Sequence, residues 1–315
     1  MASSEIVSGI HVVQGKFAGE FGFIASYLVV DDDEVLVIDP GTAGDPGKGV
    51  YEAVDILGLS AKRDIIGIVC THGHPDHVGG AARLHKNTGA PVMIHKDDAM
   101  LLEEPQLFIK ERLRMDFAAR VSMKFESGPL RVNYKGITPT RLLSHGDIIR
   151  VGDISLTTIH TRGHSAGHCV FYHENKKALF TGDEINNFPN DPRKFYVDLS
   201  GSLTAKRAAA DQLEKLSVDF LLPAHDAAHI LGDVRLQFEE VRDGVIQFQD
   251  AVLGHISART DADTEQLVFD IQHSRSIPYP TALDALLPTT IQVCLEDLKK
   301  AGLVKQDDNE VWKLA

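Results

Sequence analysis

Four residues within six positions could do chemistry together: His72, His74, Asp76 and His77, in Thr71-His72-Gly73-His74-Pro75-Asp76-His77. Imidazoles and a carboxylate at this spacing form a set of divalent-metal donors that suits Zn2+, with iron or manganese compatible. Alternate residues of an extended loop point the same way, so His72 and His74 can grip one ion. Asp76 and His77 then face the other side and can grip a second. Three more candidates follow: His164 in Thr161-Arg162-Gly163-His164-Ser165-Ala166-Gly167-His168, Asp183 in Thr181-Gly182-Asp183, and His225 in Pro223-Ala224-His225. Turn-capping accounts for one or two such residues, whereas three histidines and an aspartate so spaced are costly to keep for packing alone.

Each of these residues needs a rigid element behind it, and each sits where an apolar run has just ended. Ile65 to Cys70 reads as a buried strand running into the His72 loop, where Gly and Pro stop both helix and strand. Gly22 to Val30 and Val35 to Asp39 form a hairpin around Asp31-Asp32-Asp33-Glu34. Val50 to Leu57 and the segment from Gly80 are helical, and Pro91 to Ile94 is a strand. Ile154 to His160, Cys169 to Tyr172, Ala178 to Thr181 and Phe220 to Leu222 supply the strands before or beside the later motifs, with Leu203 to Leu216 helical. Between them, about 97–125 is expected as helix, with Ile109, Leu113, Phe117 and Val121 as one apolar stripe. From about Leu231 the pattern is helical until a terminal hairpin, which places a domain boundary near residue 230.

The 315 residues are 43% hydrophobic and 24% charged, enough to bury a sizeable core. A net charge of -13 disfavours a general nucleic-acid binder that relies on a positive field. Cys70, Cys169 and Cys294 are too few and too scattered for a disulfide framework. With no basic-then-apolar leader and no run of 18 apolar residues, the expectation is a cytoplasmic protein without a membrane span.

Together, and in this order, the motifs resemble the metallo-β-lactamase-fold hydrolases over about residues 8 to 230. The resemblance implies an α/β fold, an αββα sandwich with two sheets face to face, helices outside and metals at one sheet edge. It assigns His72, His74 and His164 to a first ion, Asp76, His77 and His225 to a second, and Asp183 as a bridge between them. Asp39, ahead of Pro40-Gly41, matches the family's aspartate that orients a ligand from behind. His168 matches a common histidine after the third motif and reads as a supporting residue rather than a ligand. Arg162 stands where proline is usual and Ala224 where glycine is usual; neither removes a ligand. The runs Pro91-Val92-Met93-Ile94-His95-Lys96-Asp97-Asp98-Ala99 and Leu142-Leu143-Ser144-His145-Gly146-Asp147 resemble the glyoxalase-II-like general branch. His95 and His145 within them read as helix-start and turn residues.

Two neighbouring cations lower the pKa of a bridging water and give hydroxide at neutral pH. The expected activity is therefore a binuclear, zinc-dependent hydrolase, two ions per chain, that cleaves an ester, thioester or lactone with a metal-bridging hydroxide. A phosphodiesterase or endoribonuclease using the same ions is the alternative, and a non-catalytic binding protein on a relic site is disfavoured by the complete ligand set. Asp76 and Tyr196 are the catalytic candidates, Tyr196 as a donor to the substrate carbonyl by analogy with lactonase-type relatives.

Two regions could choose the substrate. From Lys110 to Arg141, eight basic residues face three acidic ones, a local reversal of the overall charge. The plain reading is a solvated face or a dimer contact. The sharper one is a lid (the helical insert, about 97–140), in which Arg112 and Arg120 hold an anionic small-molecule substrate beside Phe108, Met115, Phe117 and Met123. The 231–315 module, three helices then a hairpin, resembles a winged helix, and a mammalian β-lactamase-like endoribonuclease shares that layout. Residues 228–315 carry eight Lys/Arg against fifteen Asp/Glu, so a nucleic-acid partner is disfavoured and packing or homodimerisation preferred. Trp312, the single tryptophan, reads as a packing anchor.

Overall fold

The computed structural model describes residues 3–16, 23–44, 47–114, 131–186, 191, 193–225, 230–259, 261–274, 277, 279 and 281–315. The apolar runs become two sheets. The first holds β1 (Ser3–Val7), β2 (Ile10–Lys16), β3 (Phe23–Asp31), β4 (Glu34–Ile38), β5 (Ile65–Val69), β6 (Val92–His95) and β7 (Arg141–Leu143), in that spatial order. The pairs up to β3·β4 are antiparallel and those from β4 to β7 parallel. The second sheet holds β8 (Ile148–Val151), β9 (Ile154–His160), β10 (Cys169–His173), β11 (Ala178–Gly182), β12 (Phe220–Pro223) and β13 (Ile230–Leu231), ordered β13-β12-β11-β10-β9-β8. Crossover helices α1 (Gly47–Ile56), α2 (Ala61–Asp64), α3 (Pro75–Val78) and α4 (Ala81–Thr88) link the parallel strands of the first sheet.

Side chains alternate across each strand, and the central strands such as β10 and β11 bury both faces. Ile10, Val12, Tyr27, Leu36 and Ile38 of the first sheet meet Val151, Leu156, Phe171, Phe180 and Leu222 of the second in a dry layer between them. On the far face of the first sheet, Leu28, Val35, Val37 and Ile68 pack with Val50, Val54 and Leu84 of α1 and α4. On the far face of the second, Val170, Leu179 and Leu221 pack with Ala210 and Leu213 of α7 (Leu203–Leu213). The αββα layering expected from the resemblance is the observed one. The sheets are also stitched where the site lies: Ala25 N–H donates to the Ala224 carbonyl at 2.8 Å, and the Tyr27 hydroxyl donates to the Pro223 carbonyl at 2.5 Å.

The helical insert differs from its expectation. It divides into α5 (Ala99–Glu103) and α6 (Leu107–Arg112), and Leu113 is extended at φ -118 and ψ 145. Pro105 lies in the break between the two helices; its ring disfavours helical geometry in the preceding residue and removes a donor, while the i+4 stripe, which begins after it, is cut where Leu113 turns extended. Phe117 and Val121 of that stripe, with Met115, Arg120, Met123 and Lys124, lie outside the described residues. Likewise the helix expected to Leu216 stops at Leu213.

The C-terminal region comprises α8 (Arg235–Arg259), α9 (Thr264–Ser274), a 3-10 turn (Thr281–Leu286), α10 (Leu287–Lys300) and a hairpin of β14 (Val304–Gln306) and β15 (Trp312–Leu314). Trp312 is fully buried as an anchor, in an apolar cluster continuous with Leu101, Phe108, Phe195, Tyr196 and Val197. The insert is pinned to this region by Arg114, whose backbone N–H donates to Thr289 Oγ1 at 2.9 Å and whose guanidinium meets Gln292. No helix among the described residues is long and apolar enough to cross a membrane.

Candidate metal centre

Strand ends from both sheets converge on one buried cluster. Asp39 follows β4, the His72 loop follows β5, Asp183 follows β11 and His225 follows β12, while His164 and His168 lie in the β9–β10 connection. The His72 loop is extended only as far as His74 (φ -71, ψ 148); Pro75 then starts the short helix α3, which swings Asp76 and His77 back beside His72. The His72 and His77 rings are 4.1 Å apart, so the motif's two halves share one cradle instead of facing opposite ways. Gly182, at φ 49, permits the second sheet to come this close. A Cβ there would lie 2.7 Å from Thr71 Oγ1 and 2.8 Å from His168 Nε2.

In His72, His74, His77 and His164 the inward nitrogen is selected by a hydrogen bond on the opposite side of the ring. His77 Nδ1–H donates to Asp39 Oδ2 at 2.9 Å, and His164 Nδ1–H to the Tyr196 carbonyl at 2.7 Å. His74 Nε2–H donates to Asp198 Oδ2 at 2.9 Å. Thr71 Oγ1 donates to Asp39 Oδ2 at 2.7 Å, so at 3.0 Å it must accept from His72 Nδ1–H. The inward atoms are then Nε2 of His72, His77 and His164 and Nδ1 of His74, each a lone pair when its imidazole is neutral. His74 Nδ1 and His164 Nε2 stand 2.9 Å apart. Two lone pairs at that distance repel unless a cation, a proton or a metal, lies between them. His72 Nε2, His77 Nε2 and Asp183 Oδ1 are buried without any hydrogen bond. These orphaned donors fit a bound metal, and the groups His72/His74/His164, His72/His77/Asp183 and Asp76/His77/His225 each bring their donor atoms within 4.8 Å of one another.

Asp183 reaches both sides. Its Oδ1 lies 3.3 Å from His77 Nε2 and 3.4 Å from His225 Nε2, and its Oδ2 lies 3.5 Å from His164 Nε2. Asp76 Oδ2 adds contacts at 3.6 Å to His77 and 3.4 Å to His225. The electrostatics differ across the cluster. Burial, reinforced by neighbouring imidazoles, holds His72 well below its usual pKa and takes His164 down to about 3. Burial works the same way on His77 and His225, but Asp183 and Asp76 overcome it, raising His77 well above the usual value and His225 to about 9.

A supporting layer fixes this arrangement. His168 spends its Nε2 lone pair on the Asp183 N–H at 3.1 Å, so that atom braces a backbone rather than facing the cradle. Glu184 Oε2 accepts from the His164 N–H at 3.1 Å and Thr161 Oγ1 at 2.9 Å. The buried Lys206 ammonium donates to the carbonyls of Asp183 and Glu184 at 3.1 and 2.6 Å. Sequence reasoning missed Asp98, Glu184, Asp198 and Lys206. The signal for Glu184 was its adjacency to Asp183; Lys206 sits on a helix with no visible motif.

Tyr196 lies where a substrate donor could stand, its ring 5.9 Å from His74 and 5.7 Å from His164, with a buried hydroxyl that makes no hydrogen bond. Arg112 is placed differently from a lid residue. Its guanidinium is buried, donating to the Asp97 carbonyl at 2.8 Å and Asp98 Oδ1 at 3.2 Å, because two interior carboxylates, Asp98 and Asp198, face it. Arg120 lies outside the described residues. His95 ends β6 instead of starting a helix, and stacks on His160 at 3.7 Å and 24°. With Asp97 the two rings make a further donor group, yet near-parallel rings direct their in-plane lone pairs side by side rather than onto one point.

Residues 19–225 match the metallo-beta-lactamase superfamily. An uncharacterized protein of Aquifex aeolicus is 32% identical over 154 residues, 48% of this chain and 59% of that one. The chain thus spans less than two thirds of that relative. The human acyl-coenzyme A thioesterase MBLAC2 is 27% identical over 232 residues, 71% of this chain and 80% of that one. Among solved structures, a metallo-beta-lactamase family protein from Thermus thermophilus superposes with a TM-score of 0.79 at 20% identity, covering 99% of this chain and 100% of that one. A beta-lactamase domain protein from Burkholderia ambifaria gives 0.74 at 18% identity, covering 99% and 93%.

Proposed function

From the premise that this chain belongs to the metallo-beta-lactamase superfamily and is a metal-dependent hydrolase, we propose that it binds two zinc ions and hydrolyses thioesters of the acyl-coenzyme A type. The observation that carries the two-ion reading is Asp183, whose two oxygens address opposite sides of the cradle. His72, His74 and His164 would hold one ion, Asp76, His77 and His225 the other, with Asp183 shared. Iron or manganese would be accepted by the same donors. When bound, such ions would polarise a carbonyl and lower the pKa of a coordinated water.

The chain's own residues do the rest. Asp39, Asp198, Thr71 and the Tyr196 carbonyl keep the imidazoles of His77, His74, His72 and His164 turned inward, so these need no reorganisation at the moment of reaction. Burial holds the Tyr196 phenol well above its usual pKa, which keeps it a donor at neutral pH, suited to the thioester carbonyl oxygen. Phe108, with its ring 4.8 Å from His74, gives an apolar wall. Thioesters are preferred over esters and lactones because MBLAC2 is named for acyl-coenzyme A, and because the excess of basic residues between Lys110 and Arg141 suits an anionic substrate. Arg120 remains a candidate for that anion, whereas Arg112 is committed to interior carboxylates.

The test is a panel on zinc-loaded protein: acyl-coenzyme A thioesters, p-nitrophenyl esters, lactones, bis-p-nitrophenyl phosphate and single-stranded RNA. Thioesters should give the highest kcat/KM. RNA or phosphodiester cleavage that is lost in His77→Ala, with no thioester turnover, would overturn the proposal.

A further inference from the structure

Asp98 lies outside every metal-binding motif, at the junction of β6 and α5, and is fully buried. Four donors meet its carboxylate, and they come from three separate segments. Oδ2 accepts from the Gly73 N–H at 3.1 Å, between His72 and His74, and from Ser165 Oγ at 2.6 Å, next to His164. Oδ1 accepts from the Gly167 N–H at 3.1 Å and from Arg112 at 3.2 Å. The close approach depends on a missing side chain, since a Cβ on Gly167 would lie 2.7 Å from the Asp98 side chain. Arg112 also reaches toward Asp198 Oδ1 at 4.0 Å, and Asp198 is the acceptor that turns His74 inward.

We infer that Asp98 is a positioning residue that clamps the His72–His74 loop to the His164 loop, setting the span between imidazoles from different sheets. Arg112, at the end of α6, ties the same clamp to Asp198 and so to the orientation of His74. The inference rests on the two-ion reading above and deepens it: the clamp acts on the His72/His74/His164 ion. No residue of the Asp76/His77/His225 group bonds to Asp98 or Arg112 among the described contacts, so the other ion is spared. Outer partners of this kind typically change metal affinity by about 10–100-fold.

The experiment is chelator competition, which reads two zinc dissociation constants per chain, applied to wild type and Asp98→Asn. Asparagine keeps the shape but removes the charge and half of the acceptor capacity. One constant should weaken by about 10–100-fold and the other stay within about twofold. The shift should persist in a His225→Ala background and vanish in a His164→Ala background. If Asp98→Asn fails to fold, Ser165→Ala, which deletes one bond to the same carboxylate, should give a smaller shift in the same constant. Unchanged constants with a lower Tm of the metal-free protein, or equal weakening of both, would overturn the inference. Wild type holding fewer than two ions would instead overturn the two-ion reading.

Discussion

The two sides of the cradle are built from the same loop yet store charge in opposite ways. His72, His74 and His164 form an imidazole-only face, where burial suppresses protonation of His72 and His164. Asp76, His77 and His225 form a carboxylate-rich face, where Asp183 and Asp76 keep protons on both imidazoles. One face offers ready lone pairs at neutral pH; the other must release protons before it can take a metal. Their supports differ too. The first leans on Asp198, the Tyr196 carbonyl and the Asp98 clamp; Asp39 braces the second directly through His77 and reaches the first only through Thr71 and His72.

Removing the shared element should erase the contrast. Asp183→Ala should lower kcat/KM by at least about 10³-fold, since metal assistance is worth several kcal/mol and each 1.36 kcal/mol is tenfold. Steady-state kinetics with bound-metal analysis would check this; a variant that keeps both ions and near-normal turnover would show that the faces act separately. Asp39→Asn bears on both faces, directly on His77 and through Thr71 on His72. Chelator titration should show both zinc constants weakened, the carboxylate-rich one by about 10–100-fold and the other less, in contrast to the one-sided Asp98→Asn pattern.

Acidity gives the next test. Between neutrality and about 9, where His225 titrates, affinity at the carboxylate-rich face should rise by up to about tenfold per pH unit for each proton displaced. The sign follows from linkage: a proton held in the metal-free protein competes with the ion, and raising the pH removes that competitor. At the imidazole face, His164 has already lost its proton above about 3, so affinity there should be flat over the same range. Calorimetry in buffers of different ionisation enthalpy would count the released protons. The smallest effect is expected at Tyr196→Phe, one neutral hydrogen bond worth about 1 kcal/mol, hence about fivefold in kcat with KM little changed. An unchanged kcat would remove Tyr196 from the reaction.

What the sequence made legible was whatever local pattern carries. Val35–Ile38 and Ile65–Val69 announce strands by composition, and the His72 loop and the three later motifs announce donors by type and spacing. What it hid was long-range. Asp98 meets Gly73 and Ser165 through contacts 25 and 67 residues apart, and nothing in the local pattern around Asp98 marks that encounter. The local charge excess marks Arg112 as a holder of a substrate anion or part of a solvated face, whereas tertiary pairing with Asp98 and Asp198 draws it inside. The i+4 stripe from Ile109 predicts a continuous helix across Leu113, which the structure holds extended.

The seam between β3 and the end of β12 also bears on synthesis. Ala224, Pro223 and His225 complete the cradle only by bonding back onto β3, laid down near the start of the chain. His72, His74, Asp76 and His77 leave the ribosome long before His225 does, by roughly 7–30 seconds at ordinary elongation rates. During that interval the nascent chain presents an unfinished chelator. Under the proposed ligand assignment, metal capture would be timed by translation of the second sheet, and a pause placed before His225 would prolong the window in which the wrong ion can lodge.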